Sequence, residues 1–312
     1  MNIESISDYP EIVGIGASLL DTLMKAERYP KEDTKCPAFE TMMQGGGPVA
    51  TALVAAKKLG ARTAYIGNVG DDTFAEMIRN EFIQYGVNIS CMHTREGEVS
   101  PHSFIILSGD SGSRTCVYNM GTLQDNGLLS EDFEILSHAK ILHIDGHYLK
   151  SAIQGASFAK EHGIYVSYDA GGVYSGIEEL IPYADILIPS EEFALKITGC
   201  STVEDALKAL QTKYNPRVLV ITCGSRGGIF YENERISYYN SFNVRVVDSN
   251  GAGDTFHGAF LKAYLDGMNT KECCMFASAA SAIKCTGFGA SRFVPDYEAV
   301  INFLRNENSK II

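Results

Sequence analysis

The chain has 312 residues, of which 45% are hydrophobic and 21% are charged, and its formal net charge is −12. Such a composition is typical of a globular protein, and the length fits one large α/β domain or two smaller ones. The negative charge argues against nucleic acid or an anionic membrane as a partner, although backbone N–H groups can still bind a nucleotide.

The eight cysteines form no CxxC pair and show no zinc-binding spacing. We therefore expect reduced thiols, most of them buried as small hydrophobic side chains. Residues 1–10 are polar and acidic and lack the pattern of a signal peptide, and no apolar run is long enough to span a bilayer. These features predict a cytoplasmic protein.

The first predicted strand covers residues 11–15 and is followed by an acidic residue, Asp21. Gly14 and Gly16 make only part of a GxGxxG dinucleotide motif, because Leu19 stands where the third glycine belongs. Asp21 by itself is more often a solvated turn residue. A carboxylate can also accept hydrogen bonds from two neighbouring hydroxyls of a ligand at once.

A triple-glycine segment, residues 45–47, precedes a helix that we predict for residues 50–59 and that ends at Gly60. Glycines leave backbone N–H groups uncovered ahead of a helix, so the segment could contact a ligand. A plain helix start explains the same glycines.

A further strand is predicted at residues 64–69, followed by an amphipathic helix with Asp71 as its cap or turn former. Residues 103–107 and 115–118 then read as a β-hairpin. The segment that joins them, residues 108–113, has the sequence Ser-Gly-Asp-Ser-Gly-Ser, which is a cluster of turn-forming residues.

From residue 139 onward strands and helices alternate, which indicates a parallel sheet with helices on both faces. The strands are predicted at residues 141–144, 165–168, 186–188 and 218–222. Parallel sheets bind ligands at the carboxyl ends of their strands, where Asp145, Asp169 and Pro189 fall. His143 and His147 flank Asp145 at a metal-like spacing, but neutral core histidines explain them as well.

The most informative stretch is a glycine turn between a buried strand, predicted to end at residues 244–247, and a helix with an apolar stripe. Gly251 and Gly253 leave bare N–H groups where the helix dipole places partial positive charge. Asp254 stands beside them and could take a proton from an attacking hydroxyl. A turn with a capping Asp is the equally plausible alternative for this stretch alone.

Three motifs carry a resemblance to a known family. Residues 248–254, Asp-Ser-Asn-Gly-Ala-Gly-Asp, closely resemble DTxGAGD, a signature of the ribokinase (PfkB) family of carbohydrate and nucleoside kinases, with Ser249 in place of Thr. The triple-glycine segment resembles the family's GGxxxNxA, with Gly46 and Gly47 as the glycine pair and Thr51 in place of Asn. Residues 222–227 resemble its nucleotide-contacting Thr-x-Gly-x-x-Gly loop. The resemblance runs over nearly the whole chain.

The resemblance implies one domain over residues 1–312, a three-layer α/β/α sandwich with a mostly parallel central sheet. It also implies a small β-sheet lid built from about residues 17–44 and 95–120. Relatives form homodimers through this lid, so we expect a homodimer here.

The resemblance also implies roles for individual residues. Asp254 is the expected general base, and the amides of Gly251, Ala252 and Gly253 form the anion hole. The expected substrate contacts are Asp21, Gly46, Gly47, Thr51 and Arg114. The expected nucleotide contacts are Thr222, Gly224, Gly227, Ser190 and Asn250. Arg114 could instead pair within the lid or be solvated.

The chain departs from the family where relatives carry Asn-x-x-Glu near Mg²⁺. Ser190 and Phe193 stand at these two positions, and Glu192, one residue away, is a candidate contact to the Mg²⁺ waters. A K⁺ site formed by backbone carbonyls is implied as a further candidate. Its expected positions are Asp248, Asn250, Lys284, Gly287 and Gly289.

The predicted activity is transfer of the γ-phosphoryl of ATP, with Mg²⁺ and with K⁺ as a further candidate cofactor, to a hydroxyl of a small carbohydrate. A primary hydroxyl of ribose or a ketohexose is the expected acceptor. A nucleoside kinase is an alternative, with an apolar slot from Phe39, Met42, Met43 and Phe104. A sugar-phosphate kinase is another, with a basic grip from Arg28, Lys31, Lys35, Arg95 and Arg114. A non-catalytic sugar or nucleotide sensor is the third.

Overall fold

The computed structural model describes residues 9–110 and 113–309. Most of the polar start of the chain, residues 1–8, and the turn residues 111–112 lie outside the described residues. Within the described ranges the strands form two separate β-sheets, one large and mostly parallel and one small.

The large sheet has nine strands in the described part of the chain, and they run parallel except for the strand Gly228–Glu232, which is antiparallel to both of its neighbours. In spatial order they are β13 (Arg235–Tyr239), β12 (Gly228–Glu232), β11 (Val218–Thr222), β10 (Ile186–Pro189), β9 (Tyr165–Ala170), β8 (Ile141–Ile144), β1 (Ile12–Ile15), β4 (Thr63–Val69) and β5 (Asn88–Thr94). The strands β1, β8 and β10 are buried along their whole length, because helices cover both faces of the sheet.

The described helices are α1 (Pro48–Lys58), α2 (Thr73–Tyr85), α3 (Ser130–Ser137), α4 (Leu149–Glu161), α5 (Glu191–Thr198), α6 (Val203–Tyr214), α7 (Ala252–Leu265), α8 (Thr270–Cys285) and α9 (Tyr297–Ser309). Helices α1, α2, α7, α8 and α9 pack on one face of the large sheet, and α3 to α6 pack on the other. None of these helices is both long enough and apolar enough to pass through a lipid bilayer.

The small sheet has the strand order β3 (Ala38–Gly46), β2 (Leu19–Ala26), β6 (His102–Ser108) and β7 (Arg114–Asn119). Side chains alternate between its two faces. Leu23 and Ile105 point to an inner face and are buried, whereas Met43, Phe104 and Val117 lie in one row on the outer face and are exposed. The expected architecture, a three-layer sandwich with a separate small sheet, is confirmed.

The connections of the small sheet place it over the carboxyl edge of the large sheet. Strand β2 begins four residues after β1 ends, and β3 leads directly into α1 through Gly47. The backbone of Gly47 has φ 99°, a value that glycine adopts without strain. Because β1, β8, β9, β10 and β11 are parallel, their carboxyl ends meet under the inner face of the small sheet.

Two predicted elements are absent from the described structure. Residues 244–247 form no strand, because they have no ladder partner; Val246 is 49% exposed, and Val247 bonds to the carbonyl of Cys285 at the end of α8. The helix expected between β9 and β10 is replaced by two short 3₁₀ turns, Ile177–Glu179 and Ile181–Tyr183. Gly171, Gly172 and Gly176 precede or border these turns and disfavour a longer helix.

Two smaller predictions also need correction. Asp72, and not Asp71, caps α2, since its Oδ1 accepts from the backbone of Ala75 at 2.8 Å, while Asp71 accepts from Gly97 in the next loop. The eight cysteines, all within the described residues, are free thiols as expected. Only four of them are buried, and Cys36 and Cys116 are exposed.

Candidate active site

A cleft of about 530 Å³ separates the carboxyl edge of the large sheet from the inner face of the small sheet. Its walls come from β2, β6 and β7 on one side and from the segments after β1, β8, β9, β10 and β11 on the other. The N-terminus of α7 forms its floor, where the helix dipole directs partial positive charge into the cleft.

The start of α7 offers open amides to the cleft. Gly251 is the N-cap with φ 75°, and a side chain there would collide with Ala290. The amide of Ala252 donates to the carbonyl of Ser249 at 3.2 Å, whereas the amides of Gly251 and Gly253 have no partner among the described residues. Gly253 is exposed to the cleft, so two free N–H groups remain for an anion.

Asp254 lies on the first turn of α7, beside these amides, and lines the cleft. Its surroundings raise the pKa of the carboxyl to about 7, mainly through burial and then through the negative charge of Asp169, while His257 and Arg114 act in the opposite direction. A carboxyl with a pKa near neutral pH is suited to accept a proton from an alcohol.

Asp169 and His257 are cleft residues that the motifs did not single out as site residues. Asp169 lies near the carboxyl end of β9 and pairs with Nε2 of His257 at 3.1 Å, and both side chains are almost fully buried. His257 follows Asp254 by one helical turn, a spacing that could have suggested it. A ring nitrogen of His143 lies within 4.8 Å of a carboxylate oxygen of Asp169 and of a ring nitrogen of His257. Burial lowers the pKa of His143 to about 4.

Asp21 reaches the cleft from β2. Its Oδ1 accepts from the hydroxyl of Ser103 on β6, and its Oδ2 accepts from Nδ2 of Asn250 at 3.5 Å. Gly46 passes so close to this carboxylate that any side chain there would collide with it. Burial raises the pKa of Asp21, and the donors Ser103 and Asn250 partly offset that effect. The carboxylate is thus fixed in place with Oδ2 facing the α7 turn.

Arg114 and Thr51 complete the walls near Asp21. Nη1 of Arg114, on β7, donates to Oδ1 of Asn250 at 3.1 Å, and this bond links the small sheet to the α7 turn. Arg114 therefore does not pair with Asn119 within the small sheet. Thr51 lines the cleft, and its buried hydroxyl has no hydrogen-bond partner among the described residues.

Asp145, at the end of β8, is a second cleft residue without a role assigned from the sequence. Its Oδ2 accepts from the amide of Ala17 at 2.8 Å, and its Oδ1 accepts from the amide of His147 at 2.9 Å. Burial acts to raise the pKa of Asp145, but His147 and these backbone donors bring it below its ordinary value. The prediction of a core histidine fits His143, whereas it is wrong for His147, which lines the cleft.

The expected nucleotide residues divide into two groups. Ser190 and Thr222 line the cleft at the ends of β10 and β11, and Asn250 lines it at the α7 turn. Gly224 and Gly227 lie in the turn after β11 and do not line it. Gly227 has φ 81° and packs tightly against the backbone of Tyr239, so local packing also requires a glycine there.

The residues expected to bind cations lie outside the cleft lining, except Asn250. Asp248 and Lys284 are fully buried behind the α7 turn, where Nζ of Lys284 donates to the carbonyl of Asp248 at 2.7 Å. Gly287 and Gly289 follow α8 next to them, and the amide of Gly289 donates to Oδ2 of Asp248 at 2.9 Å. Glu192 is exposed on α5, away from the cleft.

The apolar slot expected for a nucleoside base is not formed by the predicted residues. Phe39, Met43 and Phe104 are 63%, 49% and 54% exposed, and none lines the cleft. Met42 packs in the core of the small sheet. Successive side chains of a strand point to opposite faces of the sheet, and the sequence did not reveal which alternate residues face inward.

Aromatic side chains do reach the cleft from other positions. Tyr118 on β7, His147 and Tyr174 all line it, and the rings of His147 and Tyr174 lie 4.7 Å apart. Among the five basic residues considered for binding a substrate phosphate, Arg114 is the one that lines the described cleft. Arg95 instead donates to Oδ1 of Asn68 at 2.8 Å.

Comparisons with known proteins extend these observations. Residues 10–296 match the model of the pfkB family carbohydrate kinases. The chain is 28% identical to ribokinase of Arabidopsis thaliana, over 95% of this chain and 81% of the relative. It is 25% identical to a nucleoside kinase of Methanothermobacter thermautotrophicus, over 96% of this chain and 97% of the relative.

A solved structure, Arabidopsis thaliana ribokinase complexed with ribose and ATP, superposes with a TM-score of 0.83 at 27% identity, covering 95% of this chain and 99% of that one. The family model spans all three motifs of the sequence, and the fold of this solved structure agrees with the two-sheet architecture. The resemblance inferred from the motifs is confirmed, and the chain belongs to the pfkB family of carbohydrate kinases.

Proposed function

We propose that the chain transfers the γ-phosphoryl of ATP to a hydroxyl of a small, uncharged sugar. One observation carries the proposal: Asp254 and two free helix-start amides share a single cleft with Asp21. A base and an anion hole at one end, and a carboxylate able to bind hydroxyls at the other, are what phosphoryl transfer to an alcohol requires.

In this proposal Asp254 is the general base. A sugar hydroxyl lies against its carboxylate, and the proton moves to Asp254 as the oxygen attacks the γ-phosphorus. The charge on the transferring phosphoryl is met by the amides of Gly251 and Gly253 at the start of α7. Ala252, which was expected to contribute as well, already shares its amide with Ser249. The ADP oxygen leaves on the side opposite to the attack.

Acceptor recognition is assigned to Asp21 and its neighbours. The carboxylate is anchored by Ser103 and Asn250, so it can accept from sugar hydroxyls without moving. Gly47 and Thr51 line the cleft beside this carboxylate, and Gly46 packs directly against it. The small sheet then acts as a lid that excludes water from the acceptor.

ATP is assigned to the opposite end of the cleft, along the ends of β10 and β11. Ser190 and Thr222 line that end together with Gly171 and Gly172. Support comes from Arabidopsis ribokinase, whose structure contains ribose and ATP together. Gly224 and Gly227 border this region and are kept as proposed contacts to the nucleotide, because the turn they form leads directly from Thr222.

The cleft has carboxylate oxygens that fit Mg²⁺, a cation that prefers oxygen ligands. Asp169 lines the cleft from β9, next to β10 at the ATP end, and its charge acts on Asp254; its Oδ2 accepts no hydrogen bond from the described residues. Glu192 is exposed and does not line the cleft, and Phe193 is fully buried and has no oxygen on its side chain, so both are weaker candidates than a cleft carboxylate. We assign Asp169 as the residue that would hold Mg²⁺, which supplies positive charge to the phosphates when bound.

The charge of the cleft favours an uncharged acceptor over a sugar phosphate. Four carboxylates line it, and Arg114 is the one arginine or lysine among the described lining residues. Arg114 is already hydrogen-bonded to Asn250. A second phosphate on the substrate would face these carboxylates without a dedicated cationic partner, which would be unfavourable.

A nucleoside is the second candidate acceptor. Tyr118, His147 and Tyr174 give the cleft an aromatic wall that could stack on a base. The similarity to the Methanothermobacter nucleoside kinase supports this alternative. Stacking against the apolar face of a sugar ring would use the same side chains.

The outer face of the small sheet supports the expected homodimer. Met43, Phe104 and Val117 lie in one row, with Thr22 between Met43 and Phe104, and Met24 lies on the same face; the four apolar residues are between 42% and 68% exposed. A cluster of exposed apolar side chains on one sheet face is typical of an association surface. We propose that two copies pair through this face.

A cytoplasmic location also remains our proposal, supported by the eight free thiols.

The decisive assay measures ADP release over a panel of pentoses, ketohexoses, hexose phosphates and nucleosides, each with Mg²⁺ and ATP. We expect turnover with an uncharged sugar, and sugar phosphates should be poor substrates. Preference for a nucleoside over every sugar would move the assignment to the second candidate. ATP binding without turnover of any acceptor would favour the sensor.

A further inference from the structure

A lysine side chain lies fully buried behind the α7 turn. Lys284, in the last turn of α8, is 0% exposed, and its Nζ donates to the backbone carbonyl of Asp248 at 2.7 Å. The same Nζ lies 4.0 Å from Oδ2 of Asp248, whose side chain is also fully buried. Burying an ammonium group costs free energy unless it is paired and hydrogen-bonded, so this placement points to a use.

The ammonium group is surrounded by hydrogen bonds that join the segment around Asp248 to the residues at the end of α8. Oδ1 of Asp248 accepts from the amide of Asn250 at 2.8 Å, and Oδ2 accepts from the amide of Gly289 at 2.9 Å. The carbonyl of Cys285 accepts from the amides of Val247 and Asp248 at 2.8 and 3.2 Å. The α7 turn is thereby fastened to the end of α8, and the ammonium group lies at the junction.

We propose that the ammonium of Lys284 is a built-in substitute for a bound monovalent cation, so that the turn at residues 248–253 is held in its anion-binding shape without K⁺. The ammonium ion and K⁺ have similar size and the same charge, and both bind carbonyl oxygens. The carbonyl of Asp248, one of the positions considered for K⁺, already has Nζ as its partner. The inference rests on the phosphoryl transfer proposed above.

In this assignment Lys284 is a positioning residue. It contacts the carbonyl of Asp248 and places positive charge behind the turn whose front amides, those of Gly251 and Gly253, face the cleft. Burial lowers the pKa of Lys284, while the negative charge of Asp248 opposes that effect. The charge is covalently attached, so it does not depend on the salt composition of the solution.

The first test uses the wild-type protein. kcat/KM for phosphoryl transfer is measured in choline, sodium and potassium chloride at equal ionic strength. We expect the same value in all three salts. A many-fold activation by K⁺ would show that a separate ion is required, and this result would overturn the proposal.

The second test compares Lys284→Ala with Lys284→Met. The alanine variant leaves a space that K⁺ or NH₄⁺ can enter, and we expect a loss of about tenfold or more in kcat/KM that either ion restores. The methionine variant fills the space without charge and should not be restored. Full activity of Lys284→Ala in choline, or no recovery with any cation, would contradict a cationic role.

Melting temperatures give a readout that does not depend on turnover. K⁺ should raise the melting temperature of Lys284→Ala and leave the wild type and Lys284→Met unchanged. Failure of the proposed kinase activity would therefore leave this inference testable, because ion binding is measured directly. If Lys284→Ala does not fold, the wild-type salt series decides alone.

Discussion

The two ends of the cleft are built from different parts of the protein. At the acceptor end, polar side chains from distant segments hold one another in place; Asp21 bonds to Ser103 and to Asn250, 82 and 229 residues away. At the ATP end the described lining consists of glycines and small hydroxyl residues, and Ser190 uses its hydroxyl to cap α5. The contrast indicates that side chains recognise the acceptor, whereas the backbone carries most of the donor site.

The largest expected effect is at the boundary between the two ends. Asp254→Asn should lower kcat by about 10²- to 10⁴-fold, because the variant cannot accept the proton, and should leave ATP binding intact. Asp266→Asn at the other end of α7 is the matched control and should behave as the wild type. Steady-state kinetics and nucleotide titration measure both, and a near-normal kcat for Asp254→Asn would remove the base assignment.

The raised pKa of Asp254 predicts two pH effects of opposite sense. Activity needs the ionised carboxylate, so kcat/KM should fall about tenfold per pH unit below about pH 7. Stability should follow the other direction: the folded pKa lies above the ordinary value of 3.8, so stability is lost as the pH rises from about 4 to about 7 and levels off above that. Asp254→Asn should therefore melt higher than the wild type at alkaline pH, and a lower melting temperature would contradict the burial argument.

The acceptor end should be the next most sensitive. Asp21→Asn removes a charged hydrogen-bond acceptor and should lower kcat/KM for the acceptor by about 10- to 100-fold, with KM for ATP unchanged. Glu40→Gln, an exposed position on the neighbouring strand β3, is the control. If Asp21→Asn impaired kcat and KM for ATP as strongly as it impaired the acceptor, Asp21 would be affecting the whole cleft. The contrast between the two ends of the cleft would then fail.

Asp169 should affect the metal and spare the acceptor. Asp169→Asn should weaken Mn²⁺ binding to the complex with a non-hydrolysable ATP analogue by about tenfold, which electron paramagnetic resonance measures directly. Glu192→Gln should have no effect. His257→Asn removes the partner of Asp169 but keeps its carboxylate, so it should bind Mn²⁺ normally; an equal loss there would mean that Asp169 acts only by its pairing with His257.

The smallest effect is expected at the ATP end. Thr222→Val removes a hydroxyl whose described partner is the carbonyl of Pro189 at 3.5 Å, a weak bond, so KM for ATP should rise only about two- to fivefold. A loss as large as that of Asp21→Asn would show that side chains, and not the backbone, dominate the donor site. The comparison between the two ends would then fail.

The sequence by itself determined the alternation of strands and helices, the three motifs and the position of Asp254. These features depend on spacing along a few residues, which periodicity and turn chemistry report directly. Even so, the valines at 244–247 looked like a strand and are not one, because a strand also needs a partner to bond with.

The tertiary structure alone decided which distant side chains meet. It brought Asp169 to His257, turned Phe39, Met43 and Phe104 away from the cleft, and placed Nζ of Lys284 on a carbonyl 36 residues away. The packing of the whole chain decides which alternate side chains of a strand face inward and which separate elements contact each other. No local pattern contains that information, so the details of the acceptor and cation positions became visible only in the folded protein.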